Sequence, residues 1–182
     1  MMPSLLKIML AATAFALPGL AFAAGSADST PPKVTKTLTV CEKGQVYDYD
    51  TKKCVDAESS LIDDDMRYDA VRELAYGGAY DRAALVLSAM SDPSESRVMT
   101  YKGFLARMQG DMDAAMAFYA AALEQDTNNI LARSYMGQAF VNTGETALAQ
   151  AQLTEIRARG GRNTWAEFAL NSALKTGKTF AY

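Results

Sequence analysis

The chain has 182 residues, with 18 Lys+Arg against 21 Asp+Glu, a formal net charge of −3 and no histidine. This balance disfavours nucleic-acid binding, which rewards a concentrated basic face that the sequence does not contain. The lack of histidine removes Ser-His-Asp and Cys-His nucleophile activation, imidazole acid–base work and His-ligated zinc, and neither a Ser-Lys dyad nor a carboxylate pair stands in a recognisable frame.

The N-terminus reads as an export signal. Lys7 precedes a run from Ile8 to Ala16 that is apolar except for Thr13, followed by Pro18-Gly19 and the small-residue pattern Ala21-Phe22-Ala23, which suits cleavage after Ala23. The run is shorter than the roughly 20 residues of a membrane span, no stop-transfer charges follow it, and no cysteine follows the cleavage point to carry a lipid anchor. Removing 1–23 takes away Lys7 and no acidic residue, so the mature charge becomes −4, one unit below the −3 of the full chain. A periplasmic or secreted protein without a membrane span is expected.

Residues 24–38, rich in Ala, Ser, Thr and Pro, form an expected flexible leader. Segment 39–60 contains both cysteines. In an exported chain Cys41 and Cys54 are expected to pair, closing a short loop and contributing about 3 kcal/mol in the chain-entropy account. Gln45 to Tyr49 is a strand candidate, and Asp50-Thr51-Lys52-Lys53 is the turn returning the chain to Cys54. The cysteines stand too far apart for a CxxC redox pair. Asp48-Tyr49-Asp50 lacks the glycine and distal glutamate of a calcium loop. The stapled pattern resembles small cysteine-stapled motifs of secreted proteins, some of them carbohydrate-binding, over about fifteen residues.

From Ser60 onward the texture is helical. Asp63, Asp64 and Asp65 mark a helix N-terminus, with Val71, Leu74 and Ala75 on its apolar side and Gly77-Gly78 at its end. A second helix is expected over about 79–90, and Asp92-Pro93 is expected to cap and open the third. Gly110-Asp111 and Gly144-Glu145 each pair a helix-ending glycine with an acidic helix start. Thr164 and Glu167 form a capping-box pattern for a last helix whose apolar face is expected to carry Trp165, Phe168, Leu170 and Leu174. This makes seven helices, six of them in antiparallel pairs.

Self-comparison gives the sharpest signal. Tyr101, Gly103, Gly110 and Ala115 recur as Tyr135, Gly137, Gly144 and Ala149, all at an offset of 34 residues. A degenerate earlier unit carries Gly78, Tyr80, Ala83 and Leu87, and one further period past Ile130 lands on Thr164. The pattern resembles the tetratricopeptide family over about residues 62–176. Gly103 and Gly137 match its small position where helix A packs on helix B, Ala115 and Ala149 its small helix B position, and Tyr119 its helix B aromatic. Leu153 replaces that aromatic in the next unit, and Ile156 is larger than usual at the last small position.

The resemblance implies an all-α, short right-handed α-solenoid: about three helix pairs over 61–176 with a C-terminal capping helix, a disulfide-stapled hairpin in front, and a tail at 177–182. It also implies a concave groove lined by the first helix of each pair, carrying Tyr68, Arg72, Thr100, Phe104, Arg107, Met108, Ser134, Gln138 and Val141. Aromatic residues, arginine and methionine suit a protein or peptide partner. The competing reading makes Tyr101, Phe104 and Tyr135 packing between helices and Arg72 and Arg107 solvated surface charge. Met90, Met99, Met108, Met112, Met116 and Met136 read as core filler before a soft-metal site, and no cofactor is implied. The expected function is an adaptor or scaffold in envelope assembly or secretion. The alternatives are glycan or small-ligand recognition by the stapled segment and, behind it, a glycan-cleaving enzyme using Glu73, Glu124 or Glu167 as general acid.

Overall fold

The computed structural model describes residues 30–180. The signal-peptide reading at 1–23 and the cleavage point after Ala23 lie outside the described residues. In chain order the elements are α1 (Lys36–Thr39), β1 (Gln45–Asp48), β2 (Lys53–Asp56), α2 (Asp64–Tyr76), α3 (Tyr80–Ser88), α4 (Ser96–Met108), α5 (Met112–Gln125), α6 (Ile130–Asn142), α7 (Thr146–Ala158) and α8 (Trp165–Thr176). Helices α2 to α7 form three successive pairs, and α8 packs on α6 and α7, giving a short all-α solenoid.

Helix boundaries follow local chemistry. Asp63 caps α2 by accepting from the Met66 amide at 2.8 Å, Asp111 caps α5 through Ala114, and Asn129 caps α6 through Ala132. The expectation for Asp92 is corrected. Its carboxylate accepts from the Ser94 amide at 2.8 Å and hydroxyl at 2.6 Å, making a tight local turn, and α4 starts only at Ser96. Glu145 precedes α7 without capping it, since its longer side chain accepts from the Thr143 hydroxyl at 2.7 Å. At α8, Thr164 accepts from the Glu167 amide, and Glu167 reaches back to the amide of Asn163.

Two pairs repeat at the expected interval, with α4 and α6 starting 34 residues apart at Ser96 and Ile130. Their packing differs in one respect. A Cβ on Gly103 would lie 2.5 Å from the Tyr119 ring of its own partner helix α5, whereas a Cβ on Gly137 would meet Leu170 of α8 at 2.5 Å. Leu153 reaches less far than a tyrosine, so α8 supplies the side chain over Gly137. The core runs through the first helices as a stack of rings: Tyr68 and Tyr101 at 5.5 Å, Tyr101 and Tyr135 at 6.1 Å, and Phe104 and Tyr135 at 5.1 Å. On α8 the buried face is Ala166, Ala169, Leu170 and Ala173. Phe168, expected on that face, is 58% exposed.

The N-terminal segment forms a collar on the first pair. Cys41 and Cys54 are disulfide-bonded, and β1 pairs antiparallel with β2 through Val46–Val55 and Tyr47–Cys54. Asp48 holds the turn by accepting from the Asp50 amide and the Thr51 hydroxyl. Val46 enters the main core. Two arginines then fix the collar by donating to its carbonyls: Arg67 to Ala57 and Ser59, and Arg82 to Thr37, Leu38 and Cys41. The leader is not free from Thr30 on, because Glu73 of α2 accepts from the Thr35 amide and hydroxyl and the Leu38 amide.

Candidate functional site: the inner face of the helix pairs

The nine residues expected to line the groove come from the first helices α2, α4 and α6. All nine lie on these helices, but few of them are open. Thr100, Phe104, Ser134 and Gln138 have no exposed surface, and Tyr68, Arg72 and Arg107 keep 4, 7 and 6%. Met108 and Val141 are half-buried. Phe104, Tyr101 and Tyr135 are therefore packing residues between helices.

Thr100 and Ser134, equivalent by the repeat, are cross-braces. Thr100 accepts from Asn129 Nδ2 at 2.9 Å, which ties α4 to the start of α6. Ser134 donates to the Ala166 carbonyl at 2.8 Å, tying α6 to α8. Short hydroxyls two or three bonds from the backbone cross between helices where a longer side chain would push them apart.

The arginines are not solvated surface charges. Arg72 donates to the Thr30 carbonyl at 2.8 Å and lies 3.5 Å from Asp69, with its guanidinium 6.0 Å from the Tyr68 ring centroid. Arg107 lies over Phe104 at 5.4 Å and Tyr135 at 6.0 Å and donates to the Phe180 carbonyl at 3.1 Å. Beside it, burial pushes the Tyr119 hydroxyl up to about 12, although the Arg107 charge pulls the other way. A cation held against rings rather than a carboxylate keeps its charge directed at whatever covers it.

What covers it is the end of the chain. After α8, Gly177 turns with φ +68°, a conformation glycine adopts without strain. The tail then runs back over α6. Gln138 accepts from the Phe180 amide at 2.9 Å, and Thr179 donates to Asn142 at 3.0 Å. The Phe180 ring lies 5.3 Å from Trp165 and 6.2 Å from Phe168. The helices thus carry two extended pieces of the chain: the leader against α2 and the tail against α4, α6 and α8. Sequence reading passed over the tail. The available signal was the pair of aromatics in Lys178-Thr179-Phe180-Ala181-Tyr182, following a glycine at the end of a helix.

A cavity of about 360 Å³ lies where leader, hairpin and α2 meet, with Thr30, Lys33, Tyr47, Tyr49, Asp69 and Arg72 among its lining residues. The three glutamates considered for acid catalysis lie on separate elements. Glu73 is engaged with the leader, and Glu124 is exposed on α5. Glu167 is paired with Arg157 at 2.6 Å, and the Arg157 and Asn163 hydrogen bonds hold its carboxyl below the ordinary range. Among the described residues no group of three or more cysteine or acidic side chains is arranged to hold a metal ion.

Comparison with known families identifies a tetratricopeptide repeat model that matches residues 106–169, from the end of α4 into α8. No curated protein and no solved structure matches the chain. The matched segment includes the pairing of Gly110 with Asp111, the Ala115 and Ala149 positions and the whole α6–α7 pair, so the likeness to the tetratricopeptide repeat falls on residues 106–169.

Proposed function

We propose that the chain is an exported scaffold that holds a protein or peptide partner on its inner face, in envelope assembly or secretion, and has no enzymatic activity of its own. The observation that carries this reading is the repeat match over 106–169, because tetratricopeptide repeats are generally protein-interaction modules. Export is supported by the signal-peptide pattern at 1–23 and by the disulfide, a bond that persists in oxidising compartments. Among the described residues no helix is long and apolar enough to cross a membrane.

The test is capture of a stoichiometric protein from an envelope extract by the mature chain. Phe104 and Arg107 are poor probes, since replacing either disturbs the core. Met108→Asp with Val141→Asp, at half-buried positions on the margins of the two cores, should abolish capture, with the helical spectrum and Tm compared with the parent to separate lost binding from lost fold. Capture unchanged by this double variant overturns the assignment to the inner face.

A second reading, small-ligand or glycan recognition by the stapled segment, is favoured by the cavity beside Tyr47 and Tyr49. Its volume of about 360 Å³ falls at the lower end of ligand-pocket sizes. Retention of the mature chain on peptidoglycan or chitin, lost in Tyr49→Ala, would support it, and no retention would dismiss it.

A further inference from the structure

We propose that α4, α6 and α8 form a recognition site for one aromatic residue of an extended peptide, and that the chain's own C-terminal tail occupies this site until such a peptide displaces it. The inference rests on the inner-face reading above and adds to it the chemistry of the occupant.

The tail is held by a complete set of contacts for a single residue. Gln138, with no exposed surface, accepts from the Phe180 amide, and Arg107, 6% exposed, donates to the Phe180 carbonyl. Both main-chain groups of one residue are read by two side chains fixed in the core. The Phe180 ring meets the indole of Trp165 edge-on and the ring of Phe168. Thr179 adds one bond to Asn142. None of these contacts depends on Phe180 belonging to the same chain. An extended peptide with an aromatic residue could make all of them, as main-chain hydrogen bonds give affinity and a side-chain subsite gives selectivity.

The hold on the tail is also weak enough to exchange. Each main-chain hydrogen bond contributes little net stability, because water replaces it on release, and Phe180 itself is only half-buried. Its advantage is the tether: three residues, Gly177 to Thr179, join it to α8, and so short a link gives an effective concentration in the millimolar range. A free peptide must outcompete that concentration. Removing the tail should therefore raise affinity for a peptide making the same contacts, without altering the site.

The only tryptophan of the chain, Trp165, lies in the site and reports on it. The experiment uses a labelled peptide of sequence GKTFAY, followed by anisotropy and by Trp165 emission. It is titrated into the full chain, a chain ending at Thr176, and the full-length Phe180→Ala variant. The expected result is binding at least tenfold tighter to the two variants than to the full chain, and no binding of GKTAAY to any of them. The Phe180→Ala chain keeps its full length, so it carries the test even if truncation disturbs α8. Equal binding of GKTFAY to all three chains, equal binding of GKTAAY, or no binding to the Phe180→Ala chain overturns the proposal, leaving the tail as a terminal turn. The inner-face reading fails separately, when partner capture survives Met108→Asp with Val141→Asp.

Discussion

The two ends of the described chain lie on the same series of helices but are fastened by different means. The leader and hairpin are held by charged groups of α2 and α3: Glu73 accepts from two amides and a hydroxyl, Arg67 and Arg82 donate to five carbonyls, and a disulfide closes the loop. The tail is held by two amide side chains, Gln138 and Asn142, one guanidinium and two rings. The first arrangement, with eight side-chain hydrogen bonds and a covalent link against three hydrogen bonds for the tail, suits a permanent fixture. The second suits something that leaves and returns. The first helices thus carry a closely fastened leader at one end and, in the proposal above, an exchangeable tail at the other.

This contrast can be broken in order of expected effect. Replacing both cysteines, Cys41→Ser with Cys54→Ser, should destabilise the hairpin by about 3 kcal/mol. Exchange of the Val46 and Val55 amides should accelerate, while the helical ellipticity changes little. A single cooperative loss of the whole fold would instead make the collar part of the solenoid's own core. Glu73→Ala should cost about 2 kcal/mol by stranding the Thr35 and Leu38 amides, seen as their faster exchange and a lower Tm. A variant as stable as the parent would mean that the leader is no better fastened than the tail. Gln138→Leu should cost only about 1 kcal/mol and should show as a change in Trp165 emission with the leader unaffected.

The smallest effect is on pH dependence. Burial pushes the Asp64 carboxyl up, but the Ser91 hydroxyl and amide and Arg67 outweigh it and hold it below its ordinary value of 3.8. Its contribution is therefore complete above that value and lost as pH falls through the lower folded one. The tail contacts described above include no carboxylate. Acidification below about pH 4 should loosen the junction of α2 with the segment before α4, and Asp64→Asn should remove this step while leaving the separate loss of the Glu167 pairing at α8 in place. Removal of both steps by Asp64→Asn would show that the two ends are coupled.

Much of the solenoid was legible because its signals are local or periodic. Gly77, Gly110, Gly144 and Gly160 end helices, and the interval between Tyr101 and Tyr135 is retained in the helix starts. The disulfide followed from the expected compartment and the cysteine number. Asp92 misled because a side chain that can cap a helix can equally close its own turn on Ser94, and sequence alone does not choose between them. The residues expected to line a groove lie on α2, α4 and α6, but their burial depends on how closely successive pairs approach, and Gly137 shows that a third helix can fill the space. The leader and tail contacts were illegible for a different reason. Glu73 and Thr35 are 38 residues apart, as Gln138 and Phe180 are 42, and no periodicity links an extended segment to the helix it lies on.

The equal start-to-start distance of α4 and α6 has an engineering consequence. Because Ser96 and Ile130 stand in equivalent positions, a duplicate of segment 112–145 inserted after residue 145 would present its own tyrosine to the ring stack and its own Asn129 and Ser134 to brace its neighbours. Each added unit would lengthen the surface between the collar and the tail, turning a face of set reach into one whose span can be chosen.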